Sequence, residues 1–184
     1  MQEGNDLRPA PSETDHVRGS LAAPVVITEY ADFECPYCGD ANRVLESLLA
    51  RYGSKVALVF RHFPLPMHPD AEPAAEAAEA AAQAGKFWAM HDLLFRSQRA
   101  LGLADLRRYA EEIGIDPGAV ERAVRERGFA ERIERDVDSG EESNVEGTPS
   151  LFINGFAYDD EITVEGVSAV IDRALASVAS GARG

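Results

Sequence analysis

The chain has 184 residues, 45% hydrophobic and 27% charged, the balance of one ordinary globular domain, and at this length roughly 70% of the unfolded surface can be buried without a disulfide staple or structural metal. Lys and Arg number 18 against 32 Asp and Glu, a net charge of -14 that repels phosphate backbones and anionic lipid and so argues against nucleic acid or a membrane surface as partner. The longest uncharged run, residues 147–158, has 12 residues, short of the ~18 that a spanning helix needs, and two cysteines three positions apart exclude a disulfide framework.

Residues 1–20 are rich in Pro, Ser, Asp and Glu with almost no apolar periodicity, which predicts a mobile or loosely docked N-terminal arm ahead of a domain over 21–184. They hold no basic end followed by an apolar segment, so the sequence as it stands points to the cytoplasm, or to an extracytoplasmic compartment if a leader precedes it. Order is expected from Pro24. Residues 25–31 form a short β-branched run typical of a buried strand, and 36–52 switch to helical spacing through Val44, Leu45, Leu48 and Leu49, with Gly53 closing the helix. Residues 55–63 read as a second buried strand, giving a strand–helix–strand unit of a length suited to a right-handed parallel crossover.

Residues 64–69 are a proline-rich rigid loop. Helices are then predicted over 71–84, with Pro73 tolerated in the first turn, over 86–97, over 104–113, and from Pro117 behind an Asp116 cap. An acidic helix over 129–142 ends the helical block, which spans about 64–144. Strands at 150–153 and 156–158 flank Asn154-Gly155, a pair suited to a type I′ hairpin turn, and Thr163 caps a final helix to about Ala179. The economical arrangement is an α/β fold with one mixed central sheet and the helical block inserted in its middle.

The chemistry centres on Cys35-Pro36-Tyr37-Cys38. Cys35 follows an apolar strand and precedes a proline suited to the first helical position, so its sulfur is expected at a helix N-terminus. There, free N–H groups and the helix dipole favour thiolate. Asp32, Glu34 and Asp40 push the other way, so the expected pKa is lowered, but not to an extreme. Cys38 lies one turn in on the same face, placed to resolve a mixed disulfide formed at Cys35. Zinc would need two further ligands, and there is neither a second Cys pair nor a His-x₃-His spacing among His16, His62, His68 and His91, so no metal is expected. His62 reads as a satisfied strand-end residue, Phe87, Trp88 and Phe95 as core, and the acidic run 131–146 as a solvated face leading into Thr148.

The stretch from Glu29 to Cys38, then Gly85-Lys86-Phe87-Trp88-Ala89-Met90-His91, then Val145 to Gly155 with Gly147-Thr148-Pro149, resembles the DsbA-like thiol-disulfide oxidoreductases of the thioredoxin superfamily. The resemblance covers about residues 15–179 and implies a thioredoxin fold. It implies that Cys35 is the nucleophile and Cys38 the resolving thiol, and that Pro149 is a cis-proline facing the active sulfur. Thr148 would offer its backbone to an extended substrate segment beside Pro36 and Tyr37. Glu29 occupies the family's buried acidic position, six residues before Cys35, where a carboxyl of raised pKa could relay a proton for Cys38; the alternative is a strand residue facing solvent or paired with Arg61 or Lys55. Tyr37 supplies no cation between the cysteines, where the secreted oxidases of the family often carry His. The implied activity is dithiol–disulfide exchange with cysteine-containing protein substrates and a redox partner, by a monomer with no cofactor beyond the Cys pair. A glutathione-linked, glutaredoxin-like reductase and a non-catalytic thioredoxin-like binding module are the rival readings.

Overall fold

A computed structural model describes residues 6–181. Five strands and seven helices follow one another as β1 (His16–Arg18), β2 (Val25–Ala31), α1 (Pro36–Tyr52), β3 (Val56–His62), α2 (Ala71–Ala82), α3 (Phe87–Arg96), α4 (Leu103–Ile113), α5 (Pro117–Glu126), α6 (Ala130–Glu142), β4 (Ser150–Ile153), β5 (Phe156–Tyr158) and α7 (Val164–Gly181). The sheet order is β1-β3-β2-β4-β5. β2 and β3 run parallel through the α1 crossover, and β1, β4 and β5 join antiparallel, so the sheet is mixed, with α2 to α6 inserted between β3 and β4. Among the described residues no helix is long and apolar enough to cross a membrane.

Strand alternation decides what each face carries. Val25 and Ile27 of β2, with Val56 and Leu58 of β3, pack against Leu45 and Leu48 of α1 and Val167 and Ile171 of α7. Further along the strands the same cover passes to the helical block, where Phe33 and Phe60 meet Phe87, Met90, Leu94 and Phe95. α2 is buried on nearly every side through Ala74, Ala75, Ala77, Ala78 and Ala81, which suits a helix that fills the middle of the block and explains its run of alanine. Asp116 accepts from the Gly118 N–H at 2.8 Å with Pro117 in the first turn, and Asn154 and Gly155 take φ of 50° and 83° to close the β4–β5 hairpin.

The N-terminal arm expected over residues 1–20 is corrected over its described part; residues 1–5 lie outside the described residues. Instead of hanging free, β1 pairs with β3 along the register His16–Phe60, Val17–Val59 and Arg18–Leu58, covering what would otherwise be an open sheet edge. Leu7, 2% exposed, fills a small cluster with Tyr30, Val145 and Phe152. Arg61, also buried, takes its counter-charge from Asp15, with Nε and Nη2 at 2.9 and 3.2 Å from the two carboxylate oxygens. A polar composition concealed these anchors because each needs a partner far along the chain.

Candidate active site

Cys35 is the N-cap of α1, in extended backbone at φ -67° and ψ 120°, and Pro36 opens the helix. The Cys38 and Gly39 N–H groups both donate to the Cys35 carbonyl, at 3.1 and 3.2 Å. Both cysteines are free thiols, 3% and 0% exposed. The outer cysteine is thus nearly covered, while the next two residues, Pro36 and Tyr37, are exposed.

Sequence spacing places the two sulfurs together; their protonation follows from what surrounds them. The hydrogen bond from the Cys38 thiol, aided by the N–H groups of Cys38 and Tyr37, outweighs burial and holds the Cys35 thiol down to about 5. Burial, its donation to Cys35 and the nearby Glu29 push the Cys38 thiol far up. At neutral pH the pair is therefore split into a Cys35 thiolate and a Cys38 thiol.

The lowering goes further than the surrounding acids suggest, and each of those acids has hydrogen-bond or ion-pair partners of its own. Asp32, fully buried, accepts from the Glu34 and Cys35 N–H groups through Oδ1, at 2.7 and 3.2 Å. Its Oδ2 meets the Leu65 N–H at 2.9 Å and His68 Nδ1 at 2.7 Å. Glu34 accepts from the Asp70 N–H at 2.7 Å, and Asp40 pairs with Arg43. His68, its pKa raised by the hydrogen bond to Asp32 against some burial, also feels the Cys35 charge. The proline-rich loop thus brings near the pair an imidazole whose protonated form is favoured, a group that the Cys-Pro-Tyr-Cys motif lacks.

The Thr148–Pro149 bond is cis, as the resemblance implies, and the Cys35 Sγ lies 3.6 Å from the Thr148 carbonyl oxygen. Ser150, next in the chain, pairs with Tyr30 at the start of β4, so the backbone just before it continues the strand direction past the sulfur. Glu29 is 0% exposed, neither carboxylate oxygen has a partner, and burial raises its pKa to about 8. The alternative of an ion pair does not hold: Arg61 is engaged by Asp15 and by the Tyr30 hydroxyl, and Lys55 is exposed. His62 ends β3 as a satisfied residue, with Nε2 2.7 Å from Glu79 Oε1, and Phe87 and Phe95 lie in the core.

Two residues of the site escape a reading of the sequence alone. His68 reaches it from the loop after β3, where it meets Asp32, and Gln98, just past α3, donates from Nε2 to the carbonyls of Cys35 at 2.7 Å and Phe33 at 2.9 Å. Only the Pro-Leu-Pro-Met-His-Pro run, stiff enough to hold a side chain in place, marks either of them in advance.

Comparison with known proteins agrees with this geometry. The sequence matches the family described as Thioredoxin over residues 11–173. It is 48% identical over 170 residues to the Na(+)/H(+) antiporter NhaA 3 of Salinispora tropica, a match that takes in 92% of this chain and 26% of that protein. A Na(+)/H(+) antiporter NhaA of Herminiimonas arsenicoxydans is 38% identical over 167 residues, covering 89% of this chain and again 26% of the relative. The chain thus spans about a quarter of the length of the curated relatives it matches. Among solved structures, BdbD from Bacillus subtilis superposes with a TM-score of 0.81 at 22% identity over 90% of this chain and 95% of the other. A thioredoxin-like oxidoreductase from Silicibacter pomeroyi superposes at 0.78 with 26% identity, over 89% and 93%. With its cysteine pair at the start of α1, its cis-proline before β4 and its helices inserted between β3 and β4, the chain belongs to the thioredoxin family and has the DsbA-like form of its fold.

Proposed function

We propose that this domain is a dithiol–disulfide oxidoreductase that accepts electrons from the cysteines of protein substrates through Cys35 and Cys38. The observation that carries the reading is the cysteine pair at the start of α1 with Cys35 Sγ 3.6 Å from the Thr148 carbonyl oxygen, an arrangement in which the Cys35 thiol is lowered to about 5 and the Cys38 thiol is raised by burial. In the oxidised pair a substrate thiolate attacks Cys35 Sγ, forming a mixed disulfide and releasing Cys38 as the leaving sulfur, which takes up a proton. A second substrate thiolate then attacks the substrate sulfur of the mixed disulfide. Cys35 leaves as a stabilised thiolate, and the substrate departs with its own disulfide.

Because the Cys35 thiolate is stabilised, the reduced pair is favoured, which makes the pair an oxidant towards substrate dithiols. Glu29, with its pKa raised to about 8, is the proton donor and acceptor for Cys38. Exposed Pro36 and Tyr37 and the Thr148–Pro149 backbone form the docking surface for an extended segment. The pair needs no further cofactor, and a separate electron acceptor restores the disulfide. In the antiporter relatives the matched region is one part of a longer chain, so the redox partner or substrate of this domain is sought among membrane transport proteins and their neighbours.

Equilibration with glutathione buffers gives the potential of the pair, and trapping gives its roles. Cys38→Ser should accumulate mixed disulfides while Cys35→Ser accumulates none. Equal trapping by both variants defeats the assignment of roles. A potential as reducing as that of a thioredoxin, about -270 mV, defeats the oxidant direction. Turnover of glutathione mixed disulfides in place of protein thiols returns the reading to a glutaredoxin-like reductase.

A further inference from the structure

Away from the cysteines, three side chains from separate segments point at one another: His16 in β1, His62 at the end of β3, and Glu79 in α2. One ligand atom from each falls within 4.8 Å of the other two. The Nε2 atoms of His16 and His62 stand 2.6 and 2.7 Å from the same Glu79 oxygen, Oε1. Side-chain exposure is 15% for His16, 1% for His62 and 4% for Glu79, so the cluster is closed on the core side and open at His16. We propose that His16, His62 and Glu79 form a binding site for a zinc-class divalent cation.

The donor set selects the metal. Two imidazole nitrogens and one carboxylate oxygen are the ligands that zinc and its neighbours favour, while calcium and magnesium require more oxygens than this cluster holds. Three protein ligands leave a fourth tetrahedral position for water, on the open side at His16. The rings are already aimed. His16 stacks on Phe87 with centroids 3.5 Å apart and planes 5° apart, and His62 stands edge-on to Phe33, Phe60 and Phe87. Aromatic walls therefore fix the ring planes, the task that outer hydrogen bonds perform at many metal sites. Binding needs both rings to carry their proton on Nδ1 and turn the Nε2 lone pair to the ion, and the shared carboxylate oxygen then separates from the nitrogens as the ion enters between them. Nothing in the spacing along the chain reveals the set, since β1, β3 and α2 each give one ligand; this is why counting Cys pairs and His-x₃-His spacings finds no metal site.

A bound ion would tie β1 to β3 and α2, locking the N-terminal segment onto the sheet. The test uses oxidised protein, in which the Cys35–Cys38 disulfide removes the thiolates as competing ligands, titrated with Co(II) and then Zn(II). Uptake of one Co(II) is expected, with visible ligand-field bands, no sulfur charge-transfer band, displacement by Zn(II), and a melting temperature that rises with added Zn(II). His16→Gln, at the open edge, should keep the fold and the thiol-exchange rate while weakening uptake at least about tenfold, the scale on which even outer partners of a metal matter. Glu79→Gln should abolish it. Oxidised protein that takes up neither ion, or uptake unchanged by His16→Gln, overturns the proposal and leaves two histidines sharing a carboxylate by hydrogen bonds alone. Neither result bears on the activity of the cysteine pair, which is measured separately.

Discussion

Phe60 stands beside Glu29 in the parallel β2–β3 ladder, and both are fully buried. An apolar neighbour where a cation would balance the acid leaves burial as the cause that raises Glu29 to about 8 from an ordinary 4.5. The native state therefore holds a proton that the unfolded chain releases above 4.5. Stability falls as pH rises from about 4.5 to about 8 and levels off beyond, by up to a few kcal/mol at 1.36 kcal/mol per unit. Glu29→Gln should flatten this slope in denaturant melts and leave the protein more stable than its parent at pH 8, since a costly buried acid is gone. It should also slow proton transfer at Cys38, and with it resolution of the mixed disulfide by Cys38, the reverse of the step in which that sulfur leaves, by ~10²-fold in stopped-flow exchange. Unchanged resolution would strike Glu29 from the mechanism even if the stability profile flattens as expected.

Cys35 and His68 are linked through Asp32, which accepts from the Cys35 N–H and from His68 Nδ1. Ultraviolet absorption of the thiolate should titrate with a midpoint near 5. The lowered thiol pKa contributes stability to the reduced form that is present above the ordinary thiol pKa of 9 and is lost as pH falls through about 5. His68→Gln removes a neighbouring cation and should raise that midpoint by less than about one unit, making the pair less oxidising. A midpoint unmoved by His68→Gln shows that the hydrogen bonds at the helix start set the thiolate without His68.

The first strand of the crossover, the cysteine helix and the β4–β5 hairpin were legible because each is written locally. Residues 25–31 carry their β-branched run, Pro36 and Gly53 bracket α1, and Asn154-Gly155 supplies the positive φ angles of the turn. Cys35 and Cys38 lie in a motif whose spacing states their chemistry, and the role of Pro149 was legible only through the family resemblance. Illegible were the contacts that join distant segments: β1 against β3, Asp32 under the loop at 64–70, and Gln98 on the Cys35 carbonyl. In each case one polar group satisfies another from far along the chain, and neither periodicity nor propensity records such a pairing.

Gly39 shows how tightly that last contact is fitted. A Cβ there would lie 2.2 Å from Gln98 Oε1 and 2.9 Å from its Cδ, so Gly39→Ala must swing the amide away from the carbonyls of Cys35 and Phe33. Losing two hydrogen bonds costs about 1–3 kcal/mol, and the better helix former returns close to 1 kcal/mol. Melting should therefore move little. Release of the Cys35 carbonyl should instead appear as a change in the thiolate midpoint and the reduction potential, and Gln98→Ala should reproduce that change. A functional shift in Gly39→Ala that Gln98→Ala lacks would place the effect in the helix and not in the amide.

Asp15 and Arg61 decide whether the N-terminal segment is part of the folded unit. Arg61 is 2% exposed, and its guanidinium donates to Asp15, to the Tyr30 hydroxyl at 2.9 Å and to the Pro9 carbonyl at 3.1 Å. Although burial opposes it, these partners raise the Arg61 pKa further, so the charge persists at every working pH. Asp15→Ala removes the counter-charge and leaves a buried cation, a change that costs about 3–5 kcal/mol. The double variant Asp15→Ala with Arg61→Met should recover most of that loss, because an apolar side chain of similar length carries no charge to strand. Denaturant melts of the three variants measure the cycle, and hydrogen exchange at residues 16–18 reads the pairing of β1 with β3 directly. If Asp15→Ala costs less than about 1 kcal/mol, the scale of an exposed pair, and β1 exchanges as fast as an unpaired chain, then the segment is not docked in solution. Arg61 would then have to find its compensation in Tyr30 and in water.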